Sequence, residues 1–203
     1  MFRHNHLPNI GLTNGTLPPD IYQTLNQEIV DIHNDDSNTM KMNDALAGQI
    51  TKEYQITKSL PLLNPFLEEM ARQYQNHWDY YPKENQNKDL KVDSVWVNMQ
   101  QKLEINPLHN HEGELSFVAW LNVPFKLEDE RNMENCKRSR TVELSATFQF
   151  VYNTVLGTIS NCPMFVEKGW EGRIIMFPSK LLHMVYPFQT SDDYRISIAG
   201  NLQ

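Results

Sequence analysis

The sequence is poor in cysteine, in clustered basic charge and in long apolar segments. Its 203 residues include only two cysteines, Cys136 and Cys162, which argues against a disulfide framework and favours a reducing compartment. The formal charge is −7 with no basic stripe, which disfavours binding to a nucleic-acid backbone. No apolar run approaches membrane-spanning length, and the polar N-terminus lacks the apolar core of a signal peptide. These absences predict a cytoplasmic protein, and the length suits a single domain over residues 1–203.

Helical patterns dominate the first part of the chain, so we expect residues 1–90 to form a helical support. One helix is predicted after Leu17-Pro18-Pro19-Asp20, and a second over residues 64–78. The apolar positions at helical spacing are Ile21, Leu25, Ile29 and Ile32 in the first, and Phe66, Leu67, Met70, Tyr74 and Trp78 in the second. A polar connector rich in Asn and Lys is expected at residues 82–89.

From residue 92 onward, the pattern changes to short apolar runs separated by turn signals. The predicted strands cover residues 95–99, 115–121, 147–152, 164–166, 173–177, 183–185 and 195–198. Many short strands with regular turns are typical of a double-sheet jelly roll. The predicted fold class is therefore mainly β with N-terminal helices (α+β). We expect residues 91–203 to form a double-stranded β-helix core, with the helices packed outside its larger sheet.

Three histidines carry the candidate chemistry. His109 and His111 are one residue apart at a predicted strand entry, so both should point to the same side of the sheet. His183 follows far along the chain, and Arg195 follows it by twelve residues. Histidine is the commonest metal ligand among side chains. Three such groups from separate strands can hold one face of an iron ion and leave the other face open.

Three stretches of this sequence resemble the 2-oxoglutarate/Fe(II)-dependent oxygenase superfamily, and in particular its small members in bacteria and tailed phages. The first is Trp96-Val97-Asn98 followed by residues 109–118, the second is residues 172–185, and the third is residues 195–201. Residues 43–50 are also similar to the phage members, more weakly. The resemblance implies an enzyme with Fe(II) as its metal and 2-oxoglutarate as its co-substrate. It also implies consumption of molecular oxygen, formation of succinate, and hydroxylation of a protein, nucleic acid or small metabolite.

The ligand set departs from the superfamily's usual motif. That motif is His-x-Asp or His-x-Glu, whereas the matching positions here read His109-Asn110-His111. We predict that His109, His111 and His183 bind the metal. The alternative is that a turn at Gly113 folds Glu114 back to supply an oxygen ligand. Three neutral imidazoles would leave the site more positive than two histidines and one carboxylate.

The resemblance makes Arg195 the anchor for the distal carboxylate of 2-oxoglutarate, because a guanidinium offers two parallel charge-assisted bonds. Ser197 lies two residues later on the same strand face and is predicted to share that carboxylate. Asn98 and Asn201 are predicted either to bind the co-substrate or to cap strands. Four aromatic residues are expected in the core rather than in a substrate platform. They are Trp96, Phe117, Trp120 and Phe177.

Other interpretations stay open from the sequence alone. A cupin-like enzyme would bind metal through three histidines without 2-oxoglutarate, and a phage jelly-roll protein could carry a vestigial site without activity. Residues 126–140 could form a lid over the substrate, although a solvated insertion is favoured. The pair His4 and His6 is expected at the surface.

Overall fold

The computed structural model describes residues 10–78 and 88–203. The pair His4 and His6 lies outside the described residues, as does most of the connector predicted at residues 82–89.

Two helices form the N-terminal layer. Helix α1 spans Pro19–Asn34 and buries all four predicted apolar positions. Helix α2 spans Leu60–His77, four residues earlier than predicted. Pro61 is tolerated in its first turn, and Pro65 lies inside the helix at the loss of one backbone hydrogen bond. Glu28 of α1 joins the two helices, because its carboxylate accepts hydrogen bonds from the backbone of residues 57–59, just before α2.

Ten strands of the described chain form two antiparallel sheets. They are β1 (Thr13–Thr16), β2 (Glu53–Gln55), β3 (Val92–Gln100), β4 (Asn106–His109), β5 (Leu115–Asn122), β6 (Phe148–Asn153), β7 (Ile159–Met164), β8 (Arg173–Pro178), β9 (Leu182–Val185) and β10 (Arg195–Leu202). The larger sheet has the order β1-β8-β5-β10-β3-β2, and the smaller has the order β4-β9-β6-β7. The predicted fold, mainly β with N-terminal helices in a jelly-roll arrangement, is confirmed.

The core has two layers on either side of the larger sheet. One apolar cluster joins α1 and α2 to the outer face of that sheet, through residues such as Leu25, Leu67 and Val97. The other fills the space between the sheets, through residues such as Trp120 and Phe150. Because period-two alternation places successive side chains on opposite faces, one strand supplies both layers. The prediction that the helices pack outside the larger sheet is therefore confirmed.

Three local features differ from the sequence-based expectations. Strands β1 and β2 add edge strands to the larger sheet from the part of the chain that was predicted to be helical. The strand predicted at residues 164–166 is wrong, because β7 ends at Met164 and Val166 is buried beyond it. The predicted solvated insertion at residues 126–140 instead contains helices α3 (Leu127–Arg131) and α4 (Glu134–Lys137).

The insertion is held to the body of the protein by a buried carboxylate. Glu130 is completely buried and accepts hydrogen bonds from the backbone N–H groups of Gln189 and Thr190, at 2.8–3.1 Å. The neighbouring Leu127 packs into the inter-sheet cluster. Leu127 and the hydrogen-bonded carboxylate of Glu130 therefore hold this segment against the body of the protein. The many charged residues of the segment had instead indicated exposure to solvent.

Candidate metal centre and co-substrate pocket

Three histidines converge between the two sheets. His109 ends β4 and lies opposite His183 of the adjacent strand β9, while His111 follows two residues after His109. Each of the three offers a ring nitrogen, and these nitrogens all lie within 4.8 Å of one another. The backbone N–H of His111 donates to Ser179 O at 2.9 Å, which holds the segment after β4 against the turn between β8 and β9. Strand pairing thus brings together residues that are more than seventy positions apart.

Backbone carbonyls fix the orientation of two of these rings. Nδ1 of His109 donates to Pro107 O at 2.6 Å, and Nδ1 of His183 donates to Leu181 O at 2.9 Å. This arrangement leaves the lone pair on Nε2, as is usual for a histidine that binds metal. Nε2 of His111 lies 3.2 Å from Nε2 of His183. Two nitrogen ligands at a right angle, each about 2.1 Å from a metal, would be about 3.0 Å apart.

Burial keeps the imidazoles in the form that can bind a metal. It lowers the pKa of His111 to about 4 and that of His183 to about 3, and in both cases the nearby His109 adds to the effect. Burial also lowers the pKa of His109, against the opposing effect of its bond to Pro107. All three rings are therefore neutral near pH 7, as metal binding requires. Neutral imidazoles suit Fe(II) among other transition metals, so this donor set fits an iron ion.

No carboxylate joins this cluster in the described chain. Glu114, the alternative ligand, pairs with Lys88 at 3.1 Å at the protein surface. Glu112 pairs with Lys180 at 2.9 Å and is almost fully exposed. The turn at Gly113 does adopt a positive φ of 86°, but it does not bring Glu114 to the histidines.

Arg195 is buried in the same pocket as the histidines. Its Nε and Nη2 both donate to Gln100 Oε1, at 3.0 and 2.6 Å. Nη1 donates to Ala146 O and Nη2 also donates to Tyr186 O, both at 2.9 Å. A guanidinium has five N–H groups, so one N–H of Nη1 is left over. The guanidinium carbon also lies 5.5 Å from the ring centre of Phe188.

No carboxylate contacts Arg195 directly in the described structure. Within the described residues, no carboxylate lies within 4.0 Å of the guanidinium, and all its acceptors are neutral oxygens. Burial lowers the pKa of Arg195 to about 9, while the charge of Glu130 acts in the opposite direction. The side chain therefore remains charged at neutral pH. A buried charge with no counter-ion in direct contact is costly, so the pocket favours an anionic ligand.

The other predicted co-substrate residues divide into two groups. Ser197 and Asn98 line the pocket and are cross-strand partners, with Asn98 Nδ2 lying 3.5 Å from Ser197 Oγ. Asn201 does not line it, and its Oδ1 instead accepts a hydrogen bond from Ser116 Oγ at 2.8 Å. The structure thus brings Asn98, Ser197 and Arg195 together with the histidines and leaves Asn201 outside.

The four aromatic residues expected in the core are buried, and all four also form part of the pocket wall. The ring of Trp96 lies 5.5 Å from that of His111, and the ring of Phe177 lies 5.0 Å from that of His183, between centres. Phe148 stacks on His183 at 5.6 Å. These rings exclude water from the histidines, so the same aromatic residues belong both to the core and to the pocket wall.

Sequence reasoning missed several residues that line the pocket. Gln100 lies two positions after Asn98, and the period-two alternation of β3 could have identified it. Glu53 and Asn106 also line the pocket, together with apolar residues of the segment 46–50. Glu53 lies opposite Asn98 in the pairing of β2 with β3. No local pattern marks a strand as short as β2, so Glu53 could not be identified as a pocket residue from the sequence.

A family model described as "Putative 2OG-Fe(II) oxygenase" matches residues 94–201. This match covers just over half of the chain and includes the three histidines and Arg195. The chain belongs to the 2OG-Fe(II) oxygenase family. The oxygenase is therefore an enzyme, and its cofactors are Fe(II) and 2-oxoglutarate. No curated protein matches the chain.

Solved structures share the fold of this oxygenase at low sequence identity. A Pseudomonas putida prolyl-4-hydroxylase is 12% identical with a TM-score of 0.57, covering 96% of this chain and 92% of that one. The non-heme alpha-ketoglutarate-dependent epimerase SnoN from nogalamycin biosynthesis is 10% identical with a TM-score of 0.61, covering 96% and 78%. HygX from Streptomyces hygroscopicus, solved with nickel, 2-oxoglutarate and hygromycin B bound, is 10% identical with a TM-score of 0.54, covering 96% and 83%.

No helix in the described part of the oxygenase is long and apolar enough to cross a membrane.

Proposed function

We propose that this oxygenase is a hydroxylase in which His109, His111 and His183 hold Fe(II) and Arg195 binds 2-oxoglutarate. One observation carries the proposal. A buried guanidinium that contacts no carboxylate shares a pocket with three neutral imidazoles whose ring nitrogens converge. The imidazoles supply a face of neutral donors, and the guanidinium supplies the charge that a dicarboxylate needs at its far end.

The protein residues have distinct tasks in this scheme. The carbonyl oxygens of Pro107 and Leu181 hold His109 and His183 with Nε2 available for the metal. In this proposal the remaining Nη1 N–H of Arg195 and the hydroxyl of Ser197, which both line the pocket, receive the distal carboxylate of 2-oxoglutarate. The surrounding aromatic rings exclude water, which strengthens these charge-assisted bonds.

When bound, Fe(II) and 2-oxoglutarate supply the chemistry of oxygen activation. The balanced reaction converts a substrate C–H bond, O2 and 2-oxoglutarate into a C–OH group, succinate and CO2. The candidate substrates are proteins, nucleic acids and small metabolites, and the acidic charge of the chain disfavours nucleic acid. A single catalytic domain over residues 1–203, a phage-type origin and a cytoplasmic location stay predictions.

The three-imidazole cluster includes no carboxylate, a ligand set that it shares with a cupin-like enzyme that does not use 2-oxoglutarate. The test is succinate formation from 2-oxoglutarate with Fe(II) and O2, followed by mass spectrometry. We expect succinate from the wild type and from His33→Ala, which changes an exposed histidine on α1. We expect none from His183→Ala. Oxygen consumption without succinate would favour the cupin-like alternative.

A further inference from the structure

Glu53 is a buried carboxylate with almost no partner. It is 0% exposed and forms part of the pocket wall. Its Oε1 has no hydrogen-bond partner, and its Oε2 lies 3.5 Å from Asn43 Nδ2. Asn43 uses the same Nδ2 for a much shorter bond of 2.6 Å to Ile50 O. Glu53 therefore has only one weak interaction for a group that normally needs several.

The other buried carboxylates of the described chain show what a structural role looks like. Glu28 accepts hydrogen bonds from three backbone N–H groups and from the hydroxyl of Ser59. Glu130 accepts bonds from Gln189 N, Thr190 N and the Thr190 hydroxyl. Both carboxylates stabilise a loop. Glu53 stabilises no loop in this way, so its burial calls for a different explanation.

Two further pocket residues carry unpartnered acceptor oxygens. Asn98 Oδ1 and Asn106 Oδ1 are buried without a hydrogen-bond partner, and both residues line the same pocket. Gly48 also approaches closely, since a Cβ there would lie only 2.7 Å from Glu53 Oε1. A side chain at position 48 would displace the carboxylate, so the glycine leaves it in place at the wall. Three unpartnered oxygens around one pocket favour a ligand that brings donors.

The electrostatic surroundings indicate which donors fit. Within the described residues, no Lys or Arg side chain lies within 4.0 Å of Glu53. Burial and the charge of Glu104 raise the pKa of Glu53 to about 7. A cation next to Glu53 would stabilise the charged carboxylate and so lower this pKa, which opposes the effects of burial and of Glu104. An alkylammonium group has three donors and no acceptor, and so it matches the three unpartnered oxygens of Glu53, Asn98 and Asn106.

We propose that Glu53, with Asn98 and Asn106, is a substrate subsite that binds a primary ammonium group, so the substrate is an amine. This inference rests on the proposed function, because it assigns the substrate class of the same pocket. The cross-strand row Glu53, Asn98 and Ser197 runs over the larger sheet from the edge strand β2 to β10. It therefore leads from the proposed amine subsite to the strand that carries Arg195.

The test uses two probes of the same length, n-pentylammonium and 1-pentanol. The full chain is loaded with Zn(II), as a redox-inert substitute for Fe(II), and with 2-oxoglutarate. Dissociation constants are measured by ligand-observed NMR. We expect the substitution Glu53→Gln to weaken n-pentylammonium binding by about tenfold or more, because it removes a buried charge partner. It should leave 1-pentanol binding unchanged.

Control variants separate this effect from general disruption. Glu104→Gln removes the neighbouring carboxylate, which does not line the pocket, and should retain most of the ammonium affinity. Thermal unfolding checks that Glu53→Gln is folded. Equal ammonium affinity in the wild type and Glu53→Gln would overturn the proposal, as would loss of 2-oxoglutarate binding in Glu53→Gln. Failure of the proposed function would look different, since the wild type itself would then not bind 2-oxoglutarate.

Discussion

Gln100 Oε1 accepts hydrogen bonds from both Nε and Nη2 of Arg195, at 3.0 and 2.6 Å. These two N–H groups form the edge of the guanidinium that a carboxylate uses in a bidentate pair. The two-bond anchor predicted from the sequence is therefore occupied by an amide of the protein. A co-substrate carboxylate has the remaining Nη1 N–H available, or it must displace Gln100. Residues 100 and 195 are also cross-strand partners, which holds the amide close to the guanidinium.

The first prediction concerns Gln100→Glu. This change places a carboxylate of the protein on Arg195, so the guanidinium charge is neutralised before 2-oxoglutarate arrives. We expect 2-oxoglutarate affinity to fall by at least about tenfold, which corresponds to about 1.4 kcal/mol. Isothermal titration calorimetry on the Zn(II)-loaded protein measures this. Gln101→Glu adds the same charge at an exposed neighbour and should change the affinity little. Equal losses in both variants would show a general charge effect.

Truncation of Arg195 gives the second prediction. Arg195→Ala should weaken 2-oxoglutarate binding strongly, because loss of a buried charged partner typically costs about 2–5 kcal/mol. Arg195→Lys should restore binding only in part, since an ammonium cannot reproduce the planar array of donors. Metal binding should survive in both, as Arg195 is not a proposed ligand. An unchanged dissociation constant in Arg195→Ala would remove this residue from the co-substrate site.

The third prediction concerns the stability of the metal-free protein in acid. The pKa values of His111 and His183 are lowered from 6.5 to about 4 and about 3. Between each lowered pKa and 6.5, the unfolded chain binds more protons than the folded chain. The contribution of these two histidines to stability is therefore complete above pH 6.5 and is lost as the pH falls. Each histidine contributes a slope of up to about 1.4 kcal/mol per pH unit. Urea unfolding with chelator at pH 7, 6 and 5 should show a shallower decline for His111→Gln than for the wild type. Parallel curves would contradict the assignment.

Glu53 should affect stability with the opposite sign. Its pKa is raised from 4.5 to about 7, so between these values the folded state binds more protons than the unfolded state. This contribution is complete below pH 4.5 and is lost as the pH rises through 7. We therefore expect Glu53→Gln to gain stability relative to the wild type between pH 5 and pH 8. Urea unfolding at both pH values measures the difference. A constant difference would mean that the pKa of Glu53 is not raised in the folded protein.

Local periodicity predicted the two long helices and most of the strands. Four aliphatic residues at helical spacing predicted α1, and alternating runs predicted most of the strands. Length was the limitation elsewhere, because the three residues of β2 are too few to show a period. The apolar run at residues 164–166 gave a wrong prediction because it is also too short to show a period. A residue such as Val166, buried outside a strand, gives the same apolar signal as one buried within a strand.

Site residues could be predicted from the sequence where the pattern that marks them spans only a few neighbouring residues. The His-x-His spacing and the alternation of Arg195 with Ser197 are each visible within three consecutive residues, whereas Glu53 reaches the pocket only through the pairing of β2 with β3. The groups that accept hydrogen bonds from Arg195 could not be predicted either, because two of them are the backbone carbonyls of Ala146 and Tyr186. A carbonyl is present at every position, so its partner depends on the fold alone.

The most direct test of the account is an anaerobic Fe(II) titration, followed by addition of 2-oxoglutarate and observation of the metal-to-ligand absorption band. The control is His33→Ala, and the test variants are His109→Ala, His111→Ala and His183→Ala. We predict one Fe(II) per chain and an absorption band for the wild type and the control. His183→Ala should lose both, because its ring lies deepest of the three. Fe(II) binding and an absorption band in His183→Ala equal to those of the wild type would contradict the three-histidine site.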